Sequence, residues 1–477
     1  MKNAFFYFIV FPFYGLIQAI KNYKLPWAKN MVWLFVVFYG FTMFRPIGMD
    51  STRYAQKLER IYDEEKTWNN FIASFYSVDE NGNAAVDIYE PLMTNFVSFF
   101  SNNGSVLFAF FGLVYGFFFS RNIWFLIDEF KEQLQSKLIF ILLIAFTSVI
   151  GFWELNGVRM WTAAQVFFYG AFLLLYQKKT KGIYFVLASA LIHFSFFLPV
   201  GLFLIYTIFR LPFRIMYIFF IASFFMSFFN VTTVSTFLTG VLPEVLLPRV
   251  KSYTNEEYIE SYEAFNQGGN WYILYFGKVL NYTIAFLMTV IYFAKNQGYL
   301  KDKSFTKFAS FSIFLLGVSN LLSSLPSGER YLILAQFFGV AVTVLYFAKY
   351  YSLNYKKAVA VASPFLLFFI IISFRKSFDT VSVMTVFTTG VYAQGAIDTQ
   401  LKVFSIGSDS IKHDESERAA AFAKSLGCHQ KTWTLSAQEV VPYWNEAMAS
   451  LHEPLADFSI LPTFLVAKLA KKEVTVA

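Results

Sequence analysis

The chain has 477 residues, of which 57% are hydrophobic, 21% aromatic and only 15% charged, with a net charge of +8. Soluble globular proteins carry about a quarter charged residues, so this composition excludes a single water-soluble core and makes the bilayer the natural solvent. The positive balance is no nucleic-acid footprint, because the lysines sit in short loops between apolar runs, and the single cysteine supports neither a disulfide framework nor a zinc cluster.

In chain order, apolar runs are predicted near 4–20, 31–48, 104–124, 138–155, 158–176, 183–208, 212–238, 271–294, 308–325, 331–348 and 358–374. Each approaches the roughly 20 residues a span needs, giving about eleven, and each must be helical because lipid offers no hydrogen-bond partners. The fold class is an all-α polytopic membrane protein over residues 1–376, a junction over 377–400, and a short C-terminal α/β fragment over 401–477. The first run, Phe5 to Ile20, lacks a small-residue cleavage site and is expected to be a retained span.

Lysine-rich loops should face the cytoplasm. They are marked by Lys21, Lys24 and Lys29, by Lys178, Lys179 and Lys181, by Lys295, Lys301, Lys303 and Lys307, and by Lys349, Lys356 and Lys357. The long loops 49–103 and 241–270 are acidic and are expected outside. Sidedness between 183 and 240 does not close with simple full spans, and a broken or re-entrant segment around His193 to Pro199 would repair it.

Charges beside apolar runs are functional candidates by default. Arg45-Pro46-Ile47-Gly48-Met49-Asp50, with Tyr54 nearby, closes the second span, and a solvated helix end is its plain alternative. Glu90-Pro91 precedes an apolar segment, where Pro91 can open a helix. Arg159 opens a span, either snorkelling to the interface or holding a lipid phosphate bidentately. His193, followed by Pro199, is either a hydrogen-bonded core residue or a general base or acid. Arg330-Tyr331 opens a further span. There Arg330 either balances Glu329 or joins Arg159 on one pyrophosphate. The membrane part holds no P-loop and no metal-ligand spacing, so chemistry there needs a substrate activated beforehand, and no cofactor is expected.

These motifs in this order, Arg45…Gly48…Asp50…Tyr54, Glu90-Pro91, Arg159, His193…Pro199 and Arg330-Tyr331, resemble the EpsG family of Wzy-like exopolysaccharide, capsule or O-antigen polymerases. The resemblance covers about residues 1–376. It implies a glycosyltransferase of the bacterial cytoplasmic membrane. The donor would be a growing glycan on undecaprenyl pyrophosphate, and the acceptor a lipid-linked repeat unit. Other export and assembly proteins would be partners. It implies Arg159 and Arg330, with Tyr331 and Arg45, on pyrophosphate or sugar, and Asp50 or His193 as the base, with Glu90 behind them. Aromatics of the external loops (Trp68, Tyr76, Tyr89, Tyr253, Tyr258) would stack on sugars.

The tail is predicted to run strand Lys402–Ile406, helix Asp414–Ser425 stopped by Gly427, helix Ala437–Leu451, helix Ile460–Ala470 and strand Glu473–Val476. Phe404-Ser405-Ile406-Gly407, Asp414-Glu415-Ser416, Leu426-Gly427 and Glu453-Pro454-Leu455-Ala456-Asp457 resemble the synthetase domain of glutamine-hydrolysing asparagine synthetases, as does Leu461-Pro462-Thr463. Ile406 would then be the residue whose backbone meets adenine. Ser405-Ile406-Gly407-Ser408-Asp409-Ser410 is similar to that family's phosphate loop, but has Ile where close approach needs Gly. The family's true phosphate loop should precede this text, and membrane-like sequence stands there instead. The tail reads as a remnant, as a join of two genes from one polysaccharide cluster, or as a fusion that borrows missing parts. If 358–374 is the last span, the tail lies outside, away from ATP, unless Thr380–Ile397 adds a weak span. The alternatives to a polymerase are a flippase or transporter of lipid-linked sugars, and an amidotransferase carried by the tail.

Overall fold

The computed structural model describes residues 6–9, 11–46, 49–75, 87–129, 137–226, 270–294, 297–323, 328–350, 352–381, 402–408, 416–425, 429–449 and 460–471. The chain divides into a unit Met1–Phe387 and a unit Thr388–Ala477.

The first unit is helical. α1 (Pro12–Lys21) opens on a proline, whose missing N–H falls among the unpaired donors of a first turn. α2 (Ala28–Thr42) follows. α3 (Asp50–Asp63) is amphipathic, burying Ser51, Tyr54, Leu58 and Ile61 at helical spacing. α4 (Trp68–Phe75) and α5 (Tyr89–Ser98) are short, and Pro91 stands in the first turn of α5, as expected. α6 (Gly104–Glu129) and α7 (Lys137–Val149) lead into α8 (Val158–Ala171), which ends in a π turn, Phe172–Tyr176. α9 (Gly182–Ile192), α10 (Phe197–Phe209) and α11 (Phe213–Met226) come next. α12 (Trp271–Tyr292), α13 (Lys303–Leu322), α14 (Glu329–Lys349) and α15 (Leu353–Ser377) complete the unit.

The expected count of about eleven spans is not confirmed. Among the described residues, six helical stretches are long and apolar enough to cross a membrane, namely Gly104–Glu129, Lys137–Tyr176, Trp271–Tyr292, Lys303–Leu322, Glu329–Lys349 and Leu353–Ser377. The 40-residue stretch Lys137–Tyr176 is divided by a 3-10 turn at Phe152–Gly157. There the chain doubles back, since Tyr176 Oη donates to Glu129 Oε2 at 2.9 Å, beside the end of α6. The run 183–208 breaks at His193, which is extended at φ −146°, ψ 124°. A 3-10 turn, Phe194–Phe196, then leads into α10. The second run shortens to the 15 residues of α2, and most of loop 241–270 lies outside the described residues.

α2 and α6 cross closely because both present glycine at the seam. A β-carbon at Gly40 would collide with the Phe108 carbonyl oxygen, and one at Gly112 would sit 2.8 Å from the Val36 oxygen. Buried side-chain amides bridge helices further along. Asn122 Nδ2 donates to Gln165 Oε1 at 2.7 Å, and Asn281 Nδ2 to Asn320 Oδ1 at 2.8 Å.

One end of this unit gathers the lysine-rich connections. There Lys349 lies 3.4 Å from Glu129 and 3.3 Å from Asp302. Asp302 caps α13 by accepting from Ser304 N at 3.0 Å and Phe305 N at 3.1 Å, and it accepts from Tyr350 Oη at 2.8 Å. Burial pushes the Asp302 carboxyl up, but the Phe305 amide, Tyr350 and Lys349 outweigh it and hold the group below its ordinary value.

In the second unit β1 (Lys402–Ser408) pairs in parallel with β2 (His429–Leu435), placing Ile406 opposite Trp433. The helices are α16 (Ser416–Ser425), α17 (Ala437–Ala449) and α18 (Ile460–Lys471). The second strand is therefore found at 429–435. The strand expected at Glu473–Val476 lies outside the described residues, as do Asp414-Glu415, Gly427 and Glu453–Asp457.

Candidate functional site

At the end of the first unit opposite the lysine-rich connections, four polar segments meet. They are the start of α3, the residues before and within α5, the start of α8, and the break between α9 and α10.

Arg159 is the second residue of α8, so its side chain leaves the helix at the mouth of the bundle. Its Nη1 donates to Asp87 Oδ2 at 2.9 Å, and the Asp87 side chain is only 2% exposed. The other oxygen, Asp87 Oδ1, accepts from Phe194 N at 2.8 Å, while Ile88 N donates to Leu191 O at 3.1 Å. Asp87 and Ile88, just before α5, are thus stitched to the break after α9. The Arg159 guanidinium lies 5.5 Å from the centre of the Tyr54 ring. Burial lifts the Tyr54 phenol well above its ordinary value, Arg159 opposes that, and Asp50 and Glu90 add to it. Asp50 and Glu90 also act electrostatically on Arg159.

Glu90 is buried and fully engaged. Oε2 receives Lys57 Nζ at 2.9 Å and Oε1 receives Thr94 Oγ1 at 2.8 Å. Asp50 stands in the first turn of α3, where a carboxylate suits the helix dipole, and pairs with Arg53 one turn on. It is partly exposed, unlike Glu90.

His193 turns inward. Its Nδ1 lies 2.7 Å from Ser195 Oγ and accepts from Ser195 N at 3.2 Å, capping the 3-10 turn. Tyr331 Oη donates to Ser195 O at 3.3 Å. Arg330 beside it is exposed at the first turn of α14. The His193–Ser195 turn therefore separates the Arg159 pair from the Arg330-Tyr331 pair and contacts both through Phe194 N and Ser195 O.

The structure thus joins Arg159, Asp50, Glu90 and Tyr54, and links His193 and Tyr331 to them through the Phe194 amide and Ser195. Arg45 turns elsewhere, donating to Ser105 Oγ at 3.2 Å. Its pKa is lowered by burial and supported by Glu59. Gly48 lies outside the described residues, and Ile406 belongs to the separate second unit. Two residues were missed, Asp87 and Lys57. Both are charged groups in a polar stretch, and their partners lie 72 and 33 positions away. The amphipathic spacing of α3 was the available signal for Lys57. Asp87 had none.

Comparison with family models matches residues 31–386 to the EpsG family and residues 382–477 to asparagine synthase. No curated protein and no solved structure matches the chain. The apolar helices and the family together give a multi-pass membrane protein, and the family suggests a membrane polysaccharide polymerase. Three-quarters of the sequence lies within the first match, and the chain belongs to the EpsG family.

Proposed function

We propose that the first unit is a polysaccharide polymerase of the bacterial cytoplasmic membrane that joins repeat units carried on undecaprenyl pyrophosphate. The observation that carries this reading is Arg159, seated at the mouth of the helical unit among Asp87, Asp50, Glu90 and Tyr54. The acceptor hydroxyl oxygen attacks the donor's anomeric carbon. The anomeric C–O bond breaks, and lipid pyrophosphate leaves with the electron pair.

Arg159 meets the charge developing on the leaving group, with Arg330 and Tyr331 approaching from the other side of the His193 turn. Asp87 fixes one Nη of Arg159 and leaves the rest of the guanidinium fork for the anion. Asp50 takes the hydroxyl proton. It is the partly exposed carboxylate of the group, whereas both Glu90 oxygens are engaged. His193 holds the turn through Nδ1 and is the second candidate base. Other export and assembly proteins would receive the product. The asparagine synthase match is confined to residues 382–477, so the tail supports no competing reading of the whole chain.

The test supplies purified full-length protein in lipid with synthetic lipid-linked repeat units. The reading expects stoichiometric release of lipid pyrophosphate as polymer forms, and loss of both with Asp50→Asn. Polymer formation at the wild-type rate by Asp50→Asn would remove Asp50 as the base, and no polymer from the wild-type protein would remove the reaction.

A further inference from the structure

We propose that the cleft between the end of α3, α4 and α5 is a saccharide subsite for an uncharged or amino sugar of the glycan. It rests on the polymerase reading of the neighbouring site and adds a substrate class to it. The cleft is lined by Ile61 and Glu64 from the end of α3, by Glu65, Trp68, Asn70 and Phe71, and by Asn95 of α5.

Its position follows from the two helices that form it. Lys57 and Glu90 pair at 2.9 Å and join α3 to α5. From that joint, Ile61 lies one turn further along α3 and Asn95 five residues further along α5. A rise of about 1.5 Å per residue makes the step roughly 7 Å, about one sugar ring beyond the pair. The cleft therefore continues the reaction site away from the helical bundle.

Its chemistry suits a sugar. Trp68 opens α4 and is 72% exposed, with its ring 5.4 Å from that of Phe71. Thr67 Oγ1 accepts from Asn70 N at 3.2 Å and fixes this helix start. A flat exposed indole offers a face to the C–H side of a pyranose. Asn95 is 7% exposed, and its Nδ2 is committed to Ser74 Oγ and Pro91 O, each at 2.7 Å. Among the described residues its amide oxygen receives no hydrogen bond. The charge balance then selects among sugars. Lys66 also lines the cleft and donates through Nζ to the Ile61 and Tyr62 carbonyl oxygens, and its single positive charge is outnumbered by the two carboxylates. Glu64 and Glu65 remain, favouring hydroxyls or an ammonium and opposing a uronate. A membrane-surface role would also expose Trp68, but it has no use for two carboxylates and two amides around the ring.

The probe is the repeat-unit oligosaccharide released from its lipid by mild acid, titrated into full-length protein in nanodiscs. Trp68→Ala weakens binding about tenfold, the scale of one lost stacking contact, while Trp68→Phe recovers most of it. A uronate-bearing oligosaccharide binds more weakly than its neutral counterpart, and Glu64→Gln with Glu65→Gln narrows the difference. Unchanged affinity in Trp68→Ala overturns the subsite. So does fluorescence quenching by brominated lipid that disappears in Trp68→Phe, which would place the ring in the bilayer. Trp68-dependent binding by a wild-type protein that makes no polymer would overturn the polymerase reading and leave the subsite standing.

Discussion

Asp87 bridges Arg159 and the helix break at His193, accepting from Arg159 Nη1 at 2.9 Å with one oxygen and from Phe194 N at 2.8 Å with the other. A carboxylate so deeply buried persists only because both oxygens are satisfied. Removing one partner should therefore cost much more than removing both. Asp87→Ala leaves a half-buried guanidinium without its carboxylate partner and should destabilise by about 1–3 kcal/mol, whereas Asp87→Ala with Arg159→Met should cost less than the sum of the singles. Denaturant titration in detergent measures the cycle, and simple additivity would show the pair to be uncoupled.

The glycine seam between α2 and α6 gives a second prediction. A β-carbon at Gly40 meets a backbone carbonyl, which cannot swing away as a side chain can. Gly40→Val should separate the helices and cost about 1–3 kcal/mol or more. Gly201, with no atom within 4 Å of such a β-carbon, should accept alanine with little change. Thermal unfolding of the two variants compares them directly.

How much of this was legible follows from where the signals lay. The break at His193 could be read because the sidedness of the loops between 183 and 240 does not close with full spans, and a break around His193 to Pro199 repairs it. Arg159 and Glu90 stood out because charges are rare beside such runs. Asp87 did not, since it sits in an acidic loop and only folding brings it to Arg159 and Phe194. The boundary between the apolar runs 138–155 and 158–176 falls where the 3-10 turn Phe152–Gly157 stands, whereas the six long apolar stretches among the described residues do not confirm the count of about eleven spans. β2 was missed because Gln430-Lys431-Thr432 is polar, and the apolar signal of Trp433 and Leu435 is brief.

Asp302 supplies the pH prediction. Its carboxyl is held below the ordinary value of 3.8. A depressed folded value means the stabilisation is complete above the unfolded pKa and is lost as pH falls through the folded one. Stability of the wild-type protein should therefore decline below about pH 4, the ordinary aspartate range. Asp302→Asn, already without the charge, should start lower and show a shallower decline in that window. Melting temperature against pH in detergent separates the two, and parallel curves would contradict the assignment.

The most direct test of the central claim is the chain-length ladder of surface polysaccharide in a polymerase-null bacterium. Three proteins would be expressed to equal level: the full chain, residues 1–387, and full-length Arg159→Ala. The account predicts a ladder from the first two and single repeat units from the third. A wild-type ladder from Arg159→Ala, or a ladder from the full chain that residues 1–387 cannot restore, would contradict it.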